Sequence, residues 1–163
     1  METYRSLHGE LALRTATPGD AAAISALIHE LMPYMTLSPD GAGAQQFIGS
    51  MSAAAIGRYV ADPAYRYWIA DADGALAGVV AVRDNSHLFH LFVANAWQRH
   101  GFARRMWEAA RLAAVAAGNP GYFTVNSSVY ALAMYERFGF AATGPKVEQN
   151  GIAYVPMRLH AAS

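Results

Sequence analysis

Within the stretch NAWQRHGFARRMWEAARLAAVA, residues 95–116, Arg99, His100, Arg104 and Arg105 crowd around one glycine, Gly101, where a helical pattern begins. The first four N–H groups of a helix have no acceptor inside it, and the aligned peptide dipoles add partial positive charge there. A glycine at the turn lets an anion approach the backbone, because no Cβ intervenes. Strand, then QRHGFA, then helix is therefore a candidate phosphate cradle, with the arginines supplying charge and N–H donors. The plainer alternative is a glycine that only makes the turn, beside a solvated basic face. A short glycine motif does not choose between the two.

A second group of reactive side chains lies just upstream. His87 and His90 stand three apart in the strand-like SHLFHLF. Alternation along a strand predicts opposite faces, His87 with Phe89, Leu91 and Val93, and His90 with Leu88 and Phe92. An imidazole of unperturbed pKa ~6.5 suits a base at neutral pH, although either ring could simply pack. Opposite faces defeat joint chelation, and the chain has neither an H-E-x-x-H pattern nor a cysteine, so no metal is expected. The missing cysteine also excludes a disulfide framework and a thiolate nucleophile.

The formal net charge is +0, which disfavours a general nucleic-acid binder. With 54% hydrophobic and 15% charged residues the chain must fold, and 163 residues suit a single domain spanning 1–163. METYRSLHGELALR has no apolar h-region, and the alanine-rich AARLAAVAA is too short to cross a bilayer. These features predict a soluble, cytoplasmic protein with no nucleic-acid or membrane partner.

The elements that must hold these residues can be read in order. ELALRTAT alternates as a strand. A helix follows, with Thr17 or Asp20 as cap and Ile24, Leu27, Ile28 and Leu31 at helical spacing. MTLSPDGAG is a loop, and residues 43–61 read as one or two helices. YRYWIAD and LAGVVAVRD form a hairpin over ADGA, and HLFHLFVA is a third strand. A helix over 101–117 ends at Gly118 and Pro120. YFTVN is a strand, and SVYALAMYERF a helix capped by Ser128. FAATGPKVE and IAYVPMRL are strands joined by the turn QNG. The predicted order is β-α-α-β-β-β-α-β-α-β-β, with parallel strands on either side of helix 101–117. The class is α/β (α+β), neither a barrel nor a doubly wound sheet.

QRHGFA resembles the Q/R-x-x-G-x-G/A signature of the GCN5-related N-acetyltransferases (GNAT), as Gln98, Gly101 and Ala103, after an apolar strand and at a helix start. SSVYALAMYERFGF resembles that family's later helix, with Tyr135 ahead of Phe138, Gly139 and Phe140. The spacing of the two and the element order around them, from about Leu11 to Leu159, are also similar. The resemblance implies a mixed, mostly antiparallel sheet of about seven strands with about four helices. Three positions depart from the usual pattern: Ala103 for the commoner glycine, Asn95 where many relatives have proline, and Ser128 where many have asparagine.

The resemblance also implies a site and a reaction. Acetyl-CoA would be the cosubstrate, with no metal. Backbone N–H groups of Arg99, His100, Gly101, Phe102, Ala103 and Arg104 would hold its pyrophosphate, after Gln98. Pantetheine would run along Leu91, Phe92 and Val93 on one side and the strand ending at Asn126 on the other, with Ser128, Ala131 and Tyr135 beside it. Arg99 or Arg105 would meet the 3′-phosphate. Tyr135 would be the acid for the leaving thiolate. Relatives that use a strand base carry it eleven positions before the motif's first residue, which here is His87. His90 and Asp84 are weaker candidates, and some relatives work through water.

The implied acceptor is a primary amine of a small molecule or peptide. Met32, Tyr34, Met35, Phe47 and Met51 would wall its pocket, with Glu30 and Asp40 as nearby acids and Tyr154 on the last hairpin. That wall suits an amine with an apolar part, and a polycation would want more carboxylates. A different class on the same fold is a non-catalytic acyl-CoA-binding or sensing module. Many relatives dimerise through late strands, and IAYVPM is a candidate homodimer edge, although Pro156 discourages open pairing there.

Overall fold

The computed structural model describes residues 2–6 and 9–160. Nine strands carry the architecture: β1 (Glu2–Ser6), β2 (Gly9–Thr15), β3 (Tyr65–Ala72), β4 (Ala75–Arg83), β5 (His87–Val93), β6 (Tyr122–Ser127), β7 (Ala141–Ala142), β8 (Val147–Gln149) and β9 (Ile152–His160). Five helices join them: α1 (Ala21–Glu30), α2 (Gln45–Gly49), α3 (Ala53–Ala61), α4 (Phe102–Ala116) and α5 (Leu132–Arg137). The sheet runs β1-β2-β3-β4-β5-β6-β9-β7, with β8 on β9. Every pairing is antiparallel except β5 with β6, the two strands flanking α4. The mixed, mostly antiparallel sheet and the parallel pair around helix 101–117 are as expected.

Two layers of side chains cover the sheet. On one face α4 turns Phe102, Met106, Trp107, Ala110 and Ala114 onto Val80, Val82, Leu88 and Phe123. On the other, Ile24, Leu27, Ile28 and Ile56 of α1 and α3 pack on Ile69, Val79 and Ala81. Covered on both sides, β4 is buried from Ala77 to Val82. That explains its continuous apolar run, where a half-exposed strand would alternate. Asp73–Gly74 and Asn150–Gly151 both take positive φ at two successive residues, which fits the tight hairpin turns read from the sequence.

Several elements differ from the expectation. β1 precedes the first predicted strand as a hairpin partner of β2. The first helix ends at Glu30, and Met32–Tyr34 is a 3-10 turn with Pro33 in it. The fifth helix is short. Ser128 caps the turn before it, its Oγ accepting from Ala131 N–H at 3.1 Å. FAATGPKVE is two strands, because Gly144 and Pro145 interrupt it. IAYVPM is not an edge: β9 lies between β6 on one side and β7 and β8 on the other. Pro156 is tolerated inside the sheet, and its carbonyl accepts from Thr143 N–H at 2.9 Å.

The largest correction concerns the histidines. In the β4–β5 ladder His87 pairs with Arg83, Leu88 with Val82, but His90 with Ala81. Phe89 is an extra residue, a β-bulge. Paired residues share a face and so do Arg83 and Ala81, two apart, so His87 and His90 lie on the same face. Leu88, Leu91 and Val93 face α4 instead. A bulge resets alternation and bends its strand.

Candidate active site

β5 and β6 pair only at His87↔Thr124 and Leu88↔Val125. Beyond those pairs both strands continue, to Val93 and Ser127, without a shared ladder. The bend at the bulge fits this parting. A cleft of about 800 Å³ lies there, running from the start of α4 past α5 to the β8–β9 hairpin.

At one end stands the glycine loop. Gly101 caps α4 with φ 77°, and Arg99 before it has φ 66°. The first helical bond here is Arg105 N–H to Gly101 O at 3.3 Å, so Phe102, Ala103 and Arg104 present N–H groups with no acceptor in the helix. Apart from its immediate chain neighbours, no atom lies within 4 Å of where a Cβ on Gly101 would stand, so that side of the turn is open. Gln98 fixes the approach: its Nε2 donates to Val93 O at 3.0 Å, and its Oε1 accepts from the Tyr130 hydroxyl at 3.2 Å. Asn95 has its own use for not being proline. Its N–H donates to Glu30 Oε2 at 2.7 Å, tying the loop to α1.

Leu91, Phe92, Val93, Gln98, Arg99, Gly101, Phe102, Ala103 and Arg104 all line the cleft, as do Asn126, Ser128, Ala131 and Tyr135. His100 does not line it. Its Nδ1 lies 2.8 Å from Gln98 O and 3.1 Å from Trp97 O, which folds the ring back on the loop. Arg105 is likewise not a lining residue, whereas Arg99 is. Arg137 of α5 lines the same end and escaped the sequence reading, because one arginine in an exposed helical turn carries no signal.

Tyr135 is 5% exposed, wedged edge-on against Phe138 and Phe140. Burial pushes its phenol above the ordinary range, so it stays protonated at neutral pH. His87 is half-buried, with Nδ1 2.8 Å from Thr124 Oγ1. Burial first, then the Arg83 charge, lower it to about 4. It is therefore neutral at pH 7, well below the value assumed from sequence. His90 is 3% exposed, stacked on Phe89 with centroids 4.2 Å apart and sharing a 3.0 Å hydrogen bond with the Tyr67 hydroxyl. Burial lowers it to about 3, and its Nε2 has no partner among the described residues. Asp84 is exposed in the β4–β5 turn and does not line the cleft.

The far end is walled by Tyr34, Met35, Phe47 and Met51, with Tyr154 from the last hairpin. Met32 is buried core instead. Neither Glu30 nor Asp40 lines the cleft. Glu30 is held by Asn95, and Asp40 accepts from Ser38 Oγ at 2.7 Å and Ala42 N–H at 3.0 Å. Tyr34 stacks on Tyr130, centroids 4.3 Å apart and planes at 21°, so the α1 side and the α5 side meet at the rim. Among the described residues no group of three or more His, Cys, Asp or Glu could hold a metal, and no helix is long and apolar enough to cross a membrane.

A parted parallel pair beside an open helix start can take an extended ligand that carries phosphate. Residues 35–161 match the model of the acetyltransferase (GNAT) domain, and the chain belongs to that family, which uses acetyl-CoA. No protein of curated function matches the sequence. Among solved structures the fold is similar to a GCN5-related N-acetyltransferase from Rhodopseudomonas palustris (20% identity, 98% of each chain covered, TM-score 0.77). It is also similar to the PaiA N-acetyltransferase of Thermoplasma acidophilum in complex with coenzyme A (12% identity, 92% and 98% covered, TM-score 0.74). A third is a spermidine N-acetyltransferase of Vibrio cholerae (19% identity, 93% and 94% covered, TM-score 0.67).

Proposed function

We propose that the protein moves an acetyl group from acetyl-CoA to a primary amine of a small molecule or peptide, by direct attack of the amine on the thioester. The observation that carries this reading is the continuity of one cleft from the free N–H groups of α4, between parted β5 and β6, to Tyr135 and His87. The cradle fits the coenzyme's phosphates: open space beside Gly101, a helix N-terminus, and Arg99, Arg104 and Arg137 on the rim. Bound there, the coenzyme supplies an activated acyl group.

The chain's own residues do the rest. The unpaired edges of β5 and β6 offer backbone groups to an extended pantetheine arm. Tyr135, protonated at neutral pH, donates its proton to the departing sulfur. His87 is neutral and held by Thr124, so it accepts a hydrogen bond from the incoming amine. A ring of such low basicity takes a proton only as the new bond acidifies the amine N–H.

The test is calorimetric titration with acetyl-CoA and dephospho-CoA, on wild type and Gly101→Glu, followed by thiol release with an amine set. Binding that is abolished by Glu at position 101, with amine-dependent thiol release, supports the transferase. Binding with no release from any amine supports the sensing module. No binding by folded protein overturns the cradle and the reading with it.

A further inference from the structure

Resting on that transferase reading, we infer that the acceptor is an amine that also bears a carboxylate and an apolar body, of the kind of an apolar α-amino acid, with Arg83 holding the carboxylate beside His87. Arg83 closes β4 and pairs across the ladder with His87, so the two share a face, and both line the cleft. Its guanidinium carbon lies 5.6 Å from the centre of the Phe89 ring. Its ion pair with the exposed Asp84 is long, 3.7 Å from Nε. A guanidinium fork of this kind suits a planar carboxylate.

Charge selects the partner. Among the described residues that line the cleft there is no aspartate or glutamate. Arg99, Arg104 and Arg137 sit at the coenzyme end, on the glycine loop, α4 and α5, and Arg83 is the cation at the acceptor end. A polyamine would meet a cation in the lining there, while the nearby anion, Asp84, is exposed in the turn outside the lining, a mismatch that works against binding. The same face adds the unmatched Nε2 of buried His90, and the walls are Met35, Phe47, Met51 and Phe89. Cross-strand neighbours have Cβ atoms about 5 Å apart. That spacing suits an amine and a carboxylate separated by a few bonds.

The experiment compares matched acceptors by thiol release: L-methionine against 3-(methylthio)propylamine, L-phenylalanine against phenethylamine, and spermidine. The amino acids are expected to exceed their decarboxylated partners at least about 10-fold in kcat/KM. Arg83→Met is expected to erase that ratio through KM while acetyl-CoA binding, followed by calorimetry, is unchanged. In a second readout, 3-phenylpropanoate raises the Tm of wild type in the presence of CoA and leaves Arg83→Met unmoved. Equal or better turnover of a decarboxylated amine or spermidine overturns the inference. So does acetyl-CoA binding with no acetylated carboxylate-bearing product. Failure of acetyl-CoA to bind overturns the parent reading instead.

Discussion

His87 Nδ1 lies 2.8 Å from Thr124 Oγ1, across the first of the two residue pairs that join β5 to β6 before the strands part. One hydrogen bond thus fixes the ring at the closed end of the cleft and selects which nitrogen faces away. Thr124→Val keeps the side chain's size and removes the partner. The expected outcome is a loss of about 10-fold in kcat with coenzyme affinity unchanged, read by steady-state kinetics beside calorimetry. Unchanged kcat would take His87 out of the chemistry.

Tyr135→Phe keeps the packing against Phe138 and Phe140 and removes the proton. A loss of general-acid catalysis is expected to lower kcat by about 100-fold or more, with Tm and coenzyme affinity nearly unchanged. If turnover stays near wild type, the leaving thiolate takes its proton elsewhere.

Two histidines, His90 buried and His87 half-buried, make stability pH-dependent. Folding holds His87 at about 4 and His90 at about 3, against 6.5 for the free side chain. As pH falls below about 6.5 the unfolded chain binds protons that the folded chain refuses, so stability drops with falling pH. The loss continues until the folded pKa values are reached and is absent above about pH 7. Thermal melts between pH 7.5 and 4.5 should show a falling Tm, and His87→Gln should reduce the slope. A flat profile would contradict the burial of both rings.

Gly151 seats the last hairpin beside the acceptor end. A Cβ there would stand 2.5 Å from Gly43 C and 2.6 Å from Ala44 N, and its φ is 75°. Its carbonyl accepts from Leu37 N–H at 2.8 Å, so the β8–β9 turn is seated on the loop between α1 and α2. Gly151→Ala should destabilise by at least about 1 kcal/mol from the left-handed backbone alone. Backbone crowding should also unseat the hairpin, raising KM for the amine more than for acetyl-CoA. A silent substitution in melts and kinetics would show that the hairpin adapts.

The sequence by itself determined most of the order of the elements from β2 to β9, because hydrophobic period, caps and turn residues are local, although residues 43–61 and FAATGPKVE each hold two elements where the predicted order has one. It also marked the glycine loop. Gln98, Gly101 and Ala103 stand at fixed spacing, and a helix start exposes N–H groups wherever it occurs. The short 3-10 turn after α1 and the broken FAATGPKVE were harder, since proline and glycine there only hint at interruption. What the tertiary structure decided was which side chains meet. Alternation reports a face only while a strand is regular, and the extra residue Phe89 becomes a bulge through pairing with β4, a strand distant in neither sequence nor space but silent about register. That bulge put His87 and His90 on one face with Arg83. Burial then moved the basicity of both rings, and the packing of neighbouring elements sets burial, which no run of residues states on its own.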